Sequence, residues 1–146
     1  RFADMQAGLK YQFINKNITA AVIAHAILPN GDEELTSGET GFSGVLCVST
    51  PLGEKLGLGV NAGYKYLSAE SELGIFSAAM SYPLNDRLGF YAEVFARWYD
   101  MEDLYWHYDN GFTFLINENL QADFSFGTGL NEKYGYYSLG LSWRMK

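Results

Sequence analysis

The chain has 146 residues and a single cysteine. One thiol, Cys47, excludes an internal disulfide framework and any metal site built on several cysteines. Its plainest role is that of a small wall residue. Charge is also scarce: Asp, Glu, Lys and Arg make up 18% of the chain, against roughly 25% in ordinary soluble domains. The balance is acidic, with a net charge of −7, which leaves no basic stripe for a nucleic acid. No apolar run approaches the ~18 residues of a membrane-crossing helix; the longest, Ala20 to Leu28, is interrupted by His25. Nor is a signal peptide visible. Arg1-Phe2-Ala3-Asp4 leads straight into strand-like sequence, so the start is expected to follow a removed signal or to fall partway into a longer chain. If such a chain enters a membrane it must do so as a closed barrel. Only helices and closed barrels satisfy every backbone group in lipid.

Aromatics and glycine, by contrast, are abundant: 11 Tyr, 10 Phe, 3 Trp and 16 Gly. They fall into period-two alternation, the signature of strands with one apolar and one polar face. From Tyr137 on, Tyr137, Leu139, Leu141, Trp143 and Met145 oppose Ser138, Gly140, Ser142, Arg144 and Lys146. Before them, Leu120, Ala122, Phe124 and Phe126 oppose Gln121, Asp123, Ser125 and Gly127. Seven earlier stretches read as strands: Phe2 to Phe13, Ile18 to Leu28, Phe42 to Thr50, Lys55 to Leu67, Leu73 to Tyr82, Arg87 to Tyr99 and Leu104 to Ile116. The second and third alternate least cleanly. Several of these stretches reach or exceed the ~9–11 residues of a tilted transmembrane strand, whereas soluble strands average ~5–6.

The connections alternate in kind. Phe13 to Thr19, Pro51 to Gly57, Pro83 to Gly89 and Leu115 to Gln121 share one pattern: an apolar residue, Asn or Gly, two polar residues, then Ile or Leu. Asn and Gly tolerate the left-handed conformations of tight hairpins. Between these turns lie more variable, acid-rich loops at 29–41, 68–72, 100–103 and 131–133. Short turns at one end and longer loops at the other predict an all-β fold, an antiparallel up-and-down transmembrane barrel filling residues 1–146 as one domain. Two aromatic girdles are expected on its lipid-facing stripes: Tyr64, Tyr66, Trp98, Trp106 and Tyr108 toward the loops, with Tyr11, Phe13, Tyr82 and Trp143 toward the turns. Bacterial single-chain barrels have even strand numbers. An odd count of nine therefore predicts at least one more strand upstream, in a barrel of about 10–12.

The segments Ala7-Gly-Leu-Lys-Tyr11, Leu28-Pro-Asn-Gly31, Leu58-Gly-Val-Asn-Ala-Gly-Tyr64, Tyr91-Ala-Glu-Val94, Gln121-Ala-Asp123, Gly129-Leu-Asn131 and Gly140-Leu-Ser-Trp-Arg144 resemble, in matching order, the outer-membrane "transporter" or MetA-pathway of phenol degradation family. The resemblance implies a bacterial outer-membrane barrel and passage of small hydrophobic or aromatic molecules. The alternative is a structural or accessory barrel subunit of an outer-membrane complex, with a plugged lumen. The chain departs from many outer-membrane barrels in ending on Met145-Lys146 rather than an aromatic.

Alternation also assigns a lumen set: Lys10, Lys65, Arg87, Glu93, Arg97, Asp109, Asp123 and Arg144, with His107 and Gln121 beside them. Glu93, Asp109, Asp123 and Arg144 are expected at similar heights on four consecutive strands. They would form either a salt-bridged plug or a polar constriction that selects solutes. His107 and Asp109, with Ser125 or Ser142, offer the residue types of a hydrolase triad, but nothing marks a serine as a nucleophile. No catalytic residue, metal or cofactor is assigned, and His25 is expected on an inward face. The loop acids Asp32, Glu33, Glu34, Glu39, Asp100, Glu102 and Asp103 lack a calcium-loop pattern. They are expected to be solvated, or to meet divalent ions bridging lipopolysaccharide. Membrane lipid, lipopolysaccharide and other outer-membrane proteins are the expected partners.

Overall fold

The computed structural model describes residues 2–68, 71–100 and 102–145. Among these residues the sequence alternation becomes nine strands: β1 Met5–Asn15, β2 Thr19–Leu28, β3 Gly41–Leu52, β4 Leu56–Ser68, β5 Ser71–Pro83, β6 Leu88–Tyr99, β7 Asp103–Asn117, β8 Leu120–Gly129 and β9 Gly135–Trp143. Each pairs antiparallel with the next in chain order, giving one nine-stranded up-and-down sheet. β1 pairs only with β2 and β9 only with β8, so among the described residues the sheet is open.

The weakly patterned second and third stretches are full strands, because neighbours on both sides hold them in register. β1 begins three residues later than the alternation suggests, because Phe2 to Asp4 are engaged elsewhere. The loops expected at 68–72 and 100–103 fall partly outside the described residues. Where described, the first is tighter than expected, with Ser68 already paired to Ser71.

Register fixes which side chains share a face. Across β6, β7, β8 and β9 the pairings Glu93–Asp109, Asp109–Gly127 and Gly127–Tyr136 line up on one side. The pairings Phe90–Phe112, Phe112–Phe124 and Phe124–Leu139 line up on the other. The three register shifts, at Gln12/Ile14, Tyr66/Ser68 and Leu115/Asn117, all sit near strand ends, so the phase holds through the strand centres.

Burial is inverted relative to a soluble domain. Among the described residues the buried apolar side chains are Ala20, Ala21, Ile27 and Ala96, three of them alanine, whereas Leu9, Tyr137 and Leu139 are each more than 80% exposed. The buried polar residues Ser77, His107, Asp109 and Ser125 all lie on the opposite, polar face. The apolar face carries the expected aromatics. Tyr66 stacks on Phe42 with ring centroids 5.4 Å apart, Phe76 meets Trp106 edge-on at 6.4 Å, and Phe90 meets Phe112 at 5.4 Å.

All four tight turns lie at one end of the sheet. Gly53 takes a left-handed φ of 77° in one of them. In the next, Asn85 Oδ1 accepts from the backbone N–H groups of Arg87 and Leu88, each at 2.9 Å. At the other end, the loop between β2 and β3 folds back against the segment before β1. The Asp4 carboxylate accepts from the N–H groups of Gly31 at 2.9 Å and Ser37 at 3.0 Å. Asp32 Oδ2 accepts from Phe2 N at 2.8 Å, and Asn30 Oδ1 from Met5 N at 2.9 Å. The loop thereby covers a hollow of about 460 Å³ over the polar face, lined by Gln6, Ile27, Leu35, Lys65 and Leu67 among others.

The Ser37 amide, then the Gly31 amide and the Thr36 hydroxyl, hold the Asp4 carboxyl down from 3.8 to about 2. A depressed carboxyl stabilises the fold above its unfolded value and loses that contribution as pH falls through the folded one. The latch is therefore expected to be complete above about pH 3.8 and to open as pH approaches 2. Amide hydrogen exchange at Gly31 and Ser37 checks this. After correction for intrinsic rates it should be flat between pH 7 and 4, accelerate below, and be fast at every pH in Asp4→Ala.

Candidate functional site

Bulky side chains on the polar face need somewhere to lie, and glycine supplies it. On the polar face of β6 to β9, glycines sit in register beside large residues. Gly127 lets Tyr136 of β9 reach across β8 to β7, where its hydroxyl donates to Asp109 Oδ2. A Cβ at Gly127 would stand 2.5 Å from the Tyr136 ring and 2.9 Å from Asp109 Cβ. Gly129 does the same for Glu132: a Cβ there would meet the Glu132 side chain at 2.8 Å. Gly111 makes room for Tyr91, whose ring a Cβ would meet at 2.9 Å.

The result is a cluster centred on His107 and Asp109 of β7. His107 is 2% exposed and Asp109 is 6% exposed. The His107 Nε2 atom lies 2.6 Å from Glu132 Oε1. An ionised carboxylate only accepts, so Nε2 carries the proton. The imidazole stacks on Phe95 at 4.7 Å, nearly parallel, and meets Tyr134 edge-on at 5.4 Å. The β8–β9 loop is fastened to deliver Glu132 and Tyr134: Asn131 Oδ1 accepts from Trp106 N and its Nδ2 donates to Leu104 O, both at 2.8 Å. Two buried atoms in the cluster have no hydrogen-bond partner among the described residues, His107 Nδ1 and Asp109 Oδ1. Each such buried acceptor costs about 1–3 kcal/mol if left without a donor. Glu93 stands directly across from Asp109 on the same face. Among the described residues it makes no hydrogen bond or ion pair.

The rest of the expected lumen set is more dispersed. Lys10 lies on the polar face of the edge strand β1 and is exposed, and Lys65 lies on the polar face of β4, half-buried. Gln121 and Asp123 share the polar face of β8, and the Asp123 carboxylate lies over Gly140. Asp123 pairs with Thr113, four residues along β7 from Asp109, so it does not sit at the height of Glu93. Arg97 is exposed toward the loop end, its guanidinium 5.6 Å from the Phe95 ring centroid.

Two positions correct the sequence reading. Arg144 lies just past β9 and does not join the acids: its Nη2 donates to the Glu118 carbonyl at 3.0 Å and to Asn119 Oδ1 at 3.3 Å. Arg87 belongs to the turn before β6. Both sit where strand alternation has ended: the Arg144 guanidinium binds turn acceptors, and the Arg87 backbone N–H is held by Asn85. Similarly, among the described residues the expected salt-bridged set holds no Lys or Arg ion pair, and His107 is hydrogen-bonded to Glu132.

Of the girdle residues, Tyr11, Tyr64, Tyr66, Tyr82, Trp98, Trp106, Tyr108 and Trp143 all share the apolar face. Tyr108 is nearer mid-strand, accepting from Asn110 Nδ2 at 3.2 Å. Where Gly74 lacks a side chain, Tyr64, Phe76, Trp98 and Trp106 wall an apolar groove of about 570 Å³.

A model of the family described as "Putative MetA-pathway of phenol degradation" matches residues 1–145. The chain belongs to this family. No curated protein matches it. In this family member, sequence reasoning passed over Tyr91, Glu132, Tyr134 and Tyr136. Tyr136 precedes the clean alternation of β9, and Glu132 and Tyr134 lie in a loop. The available signal was glycine recurring at 111, 127 and 129 on the polar stripes.

On β3 to β5 the polar face is built from smaller residues. Thr19, Ser49, Gly57, Gly59, Ala79 and Ser81 line a hollow of about 580 Å³ at the turn end. Gly59→Ala places its methyl in open space, whereas Gly127→Ala drives one into Tyr136 and Asp109. Gly127→Ala is expected to destabilise by about 1–3 kcal/mol, and Gly59→Ala to stay within about 0.5 kcal/mol. Denaturant unfolding of the protein refolded in detergent micelles compares the two.

Proposed function

We propose that the sheet is the wall of an outer-membrane β-barrel, with its apolar face on lipid and its polar face on a lumen through which small hydrophobic or aromatic molecules pass. The observation that carries this reading is the inversion of burial. A sheet with four small or medium apolar side chains buried and its aromatic stripes exposed has no hydrophobic core to hold it together in water. Lipid supplies the missing apolar surroundings, and strands of 9 to 15 residues suit a tilted span. Closure requires that the free edges of β1 and β9 both find strand partners, because unpaired backbone is not tolerated in hydrocarbon. Family membership over residues 1–145 supports a role connected with phenolic compounds. The barrel would be a conduit and not an enzyme, since His107 and Asp109 are committed to Glu132 and Tyr136 and not to a serine.

A second reading has an observation of its own. The polar face of β6 to β9 is filled by Phe95 and Glu132 on His107, Tyr136 on Asp109 and Tyr91 beside Gly111, as in a plugged accessory barrel. Solute flux separates the two. Lipid vesicles carrying the refolded protein should admit phenol-sized solutes at least about tenfold faster than protein-free vesicles after correction for bilayer leakage. A charged tracer such as benzenesulfonate keeps that leakage low. Flux equal to that of protein-free vesicles would favour the plugged barrel.

A further inference from the structure

The cluster on β7 is rich in acceptors and short of donors. Asp109 Oδ1 and His107 Nδ1 are buried without partners. Glu93 faces Asp109 across the β6–β7 pairing, with no ion pair or hydrogen bond among the described residues. Like charges directly opposite each other on a sheet repel, and such an arrangement persists most readily where a positive charge comes between them. Among the described residues, four cations that share or border this face stand away from that position. Arg97 is four residues from Glu93 along β6, roughly 13 Å at strand rise, and is turned to the Phe95 ring. Lys10 and Lys65 lie on β1 and β4. Arg144 is held by the β7–β8 turn. Tyr91 beside Gly111, Phe95 on the His107 ring and Tyr136 on Asp109 give the same face three aromatic rings, groups whose quadrupoles favour an organic cation.

We propose that Glu93, Asp109 and His107 form a binding site for a small organic ammonium ion, an aryl or alkyl amine in its protonated form. Such a group brings three N–H donors and no acceptor. That matches the unpartnered Asp109 Oδ1, the Glu93 carboxylate and His107 Nδ1, while the organic part packs on Tyr91 and Phe95. Tyr136 is the positioning residue: by donating to Asp109 Oδ2 it fixes the carboxylate with its other oxygen left over. The site rests on the channel reading only in needing the polar face to be reachable from solution.

The test is calorimetric titration of the full chain, refolded in detergent micelles, with benzylammonium. Benzyl alcohol and benzoate serve as the neutral and anionic probes. Benzylammonium should bind saturably and at least about tenfold tighter than benzyl alcohol, and benzoate should not bind. Glu93→Gln should weaken benzylammonium about tenfold and leave benzyl alcohol unchanged; because Glu93 is half-buried and unpaired, this variant keeps the fold, which circular dichroism checks. Asp109→Asn should act in the same direction. Equal binding of the alcohol, no loss in Glu93→Gln, or no benzylammonium binding to the folded protein would each overturn the site. Binding in micelles without solute flux in vesicles would keep the site and remove the channel. Flux without binding would do the reverse.

Discussion

Everything in this sheet depends on keeping phase. A strand sends successive side chains to opposite faces, and a slip of β7 by one residue against β6 and β8 would put Asp109 among the phenylalanines. Nine strands hold the same phase because the pairings are continuous through their centres, with irregularities confined near the ends. The tight turns reinforce this. Gly53 and Asn85 set local geometries that fix where the next strand begins, so each hairpin passes its register on to the next.

Phase alone separates polar from apolar; it does not decide how the polar face is filled. That is decided by glycine. Where β8 presents Gly127 and Gly129, residues from β9 and its loop cross over it to β7 and build a two-layered cluster on one half of the sheet. Where β4 presents Gly57 and Gly59 opposite Ser49, Ala79 and Ser81, nothing large leans in, and a hollow remains. The polar face is thus uneven by design of its smallest residues: crowded and acceptor-rich over β7, shallow over β3 to β5. On the proposed reading, a conduit and a binding cluster would share one wall by using different halves of it.

Strand number, order, the turn end and the facing of nearly every residue were legible in the sequence, because period-two alternation reports a local property of the backbone. Arg144 and Arg87 escape the pattern because alternation ends with the strand; beyond it the Arg144 side chain meets a turn carbonyl and the Arg87 backbone belongs to the Asn85 turn. The grouping of Glu93 with Asp109 was legible as shared facing, but Asp123 was not placeable, since height depends on stagger between strands rather than on sequence spacing. Glu132 and Tyr134 were invisible for a different reason: they reach the cluster through a loop fastened by Asn131, a long-range contact that no periodicity encodes.

The central claim is that one face of this sheet meets lipid and the other meets water. Its most direct measurement is nitroxide scanning along β6 in lipid vesicles, one label at a time from 88 to 98, with Cys47 replaced by serine. Oxygen accessibility should peak at Leu88, Phe90, Ala92, Val94, Ala96 and Trp98. Accessibility to a water-soluble nickel chelate should peak in antiphase at Gly89, Tyr91, Glu93, Phe95 and Arg97. A nickel reagent that reaches the apolar positions along the whole strand, or two profiles that rise and fall together, would contradict the account.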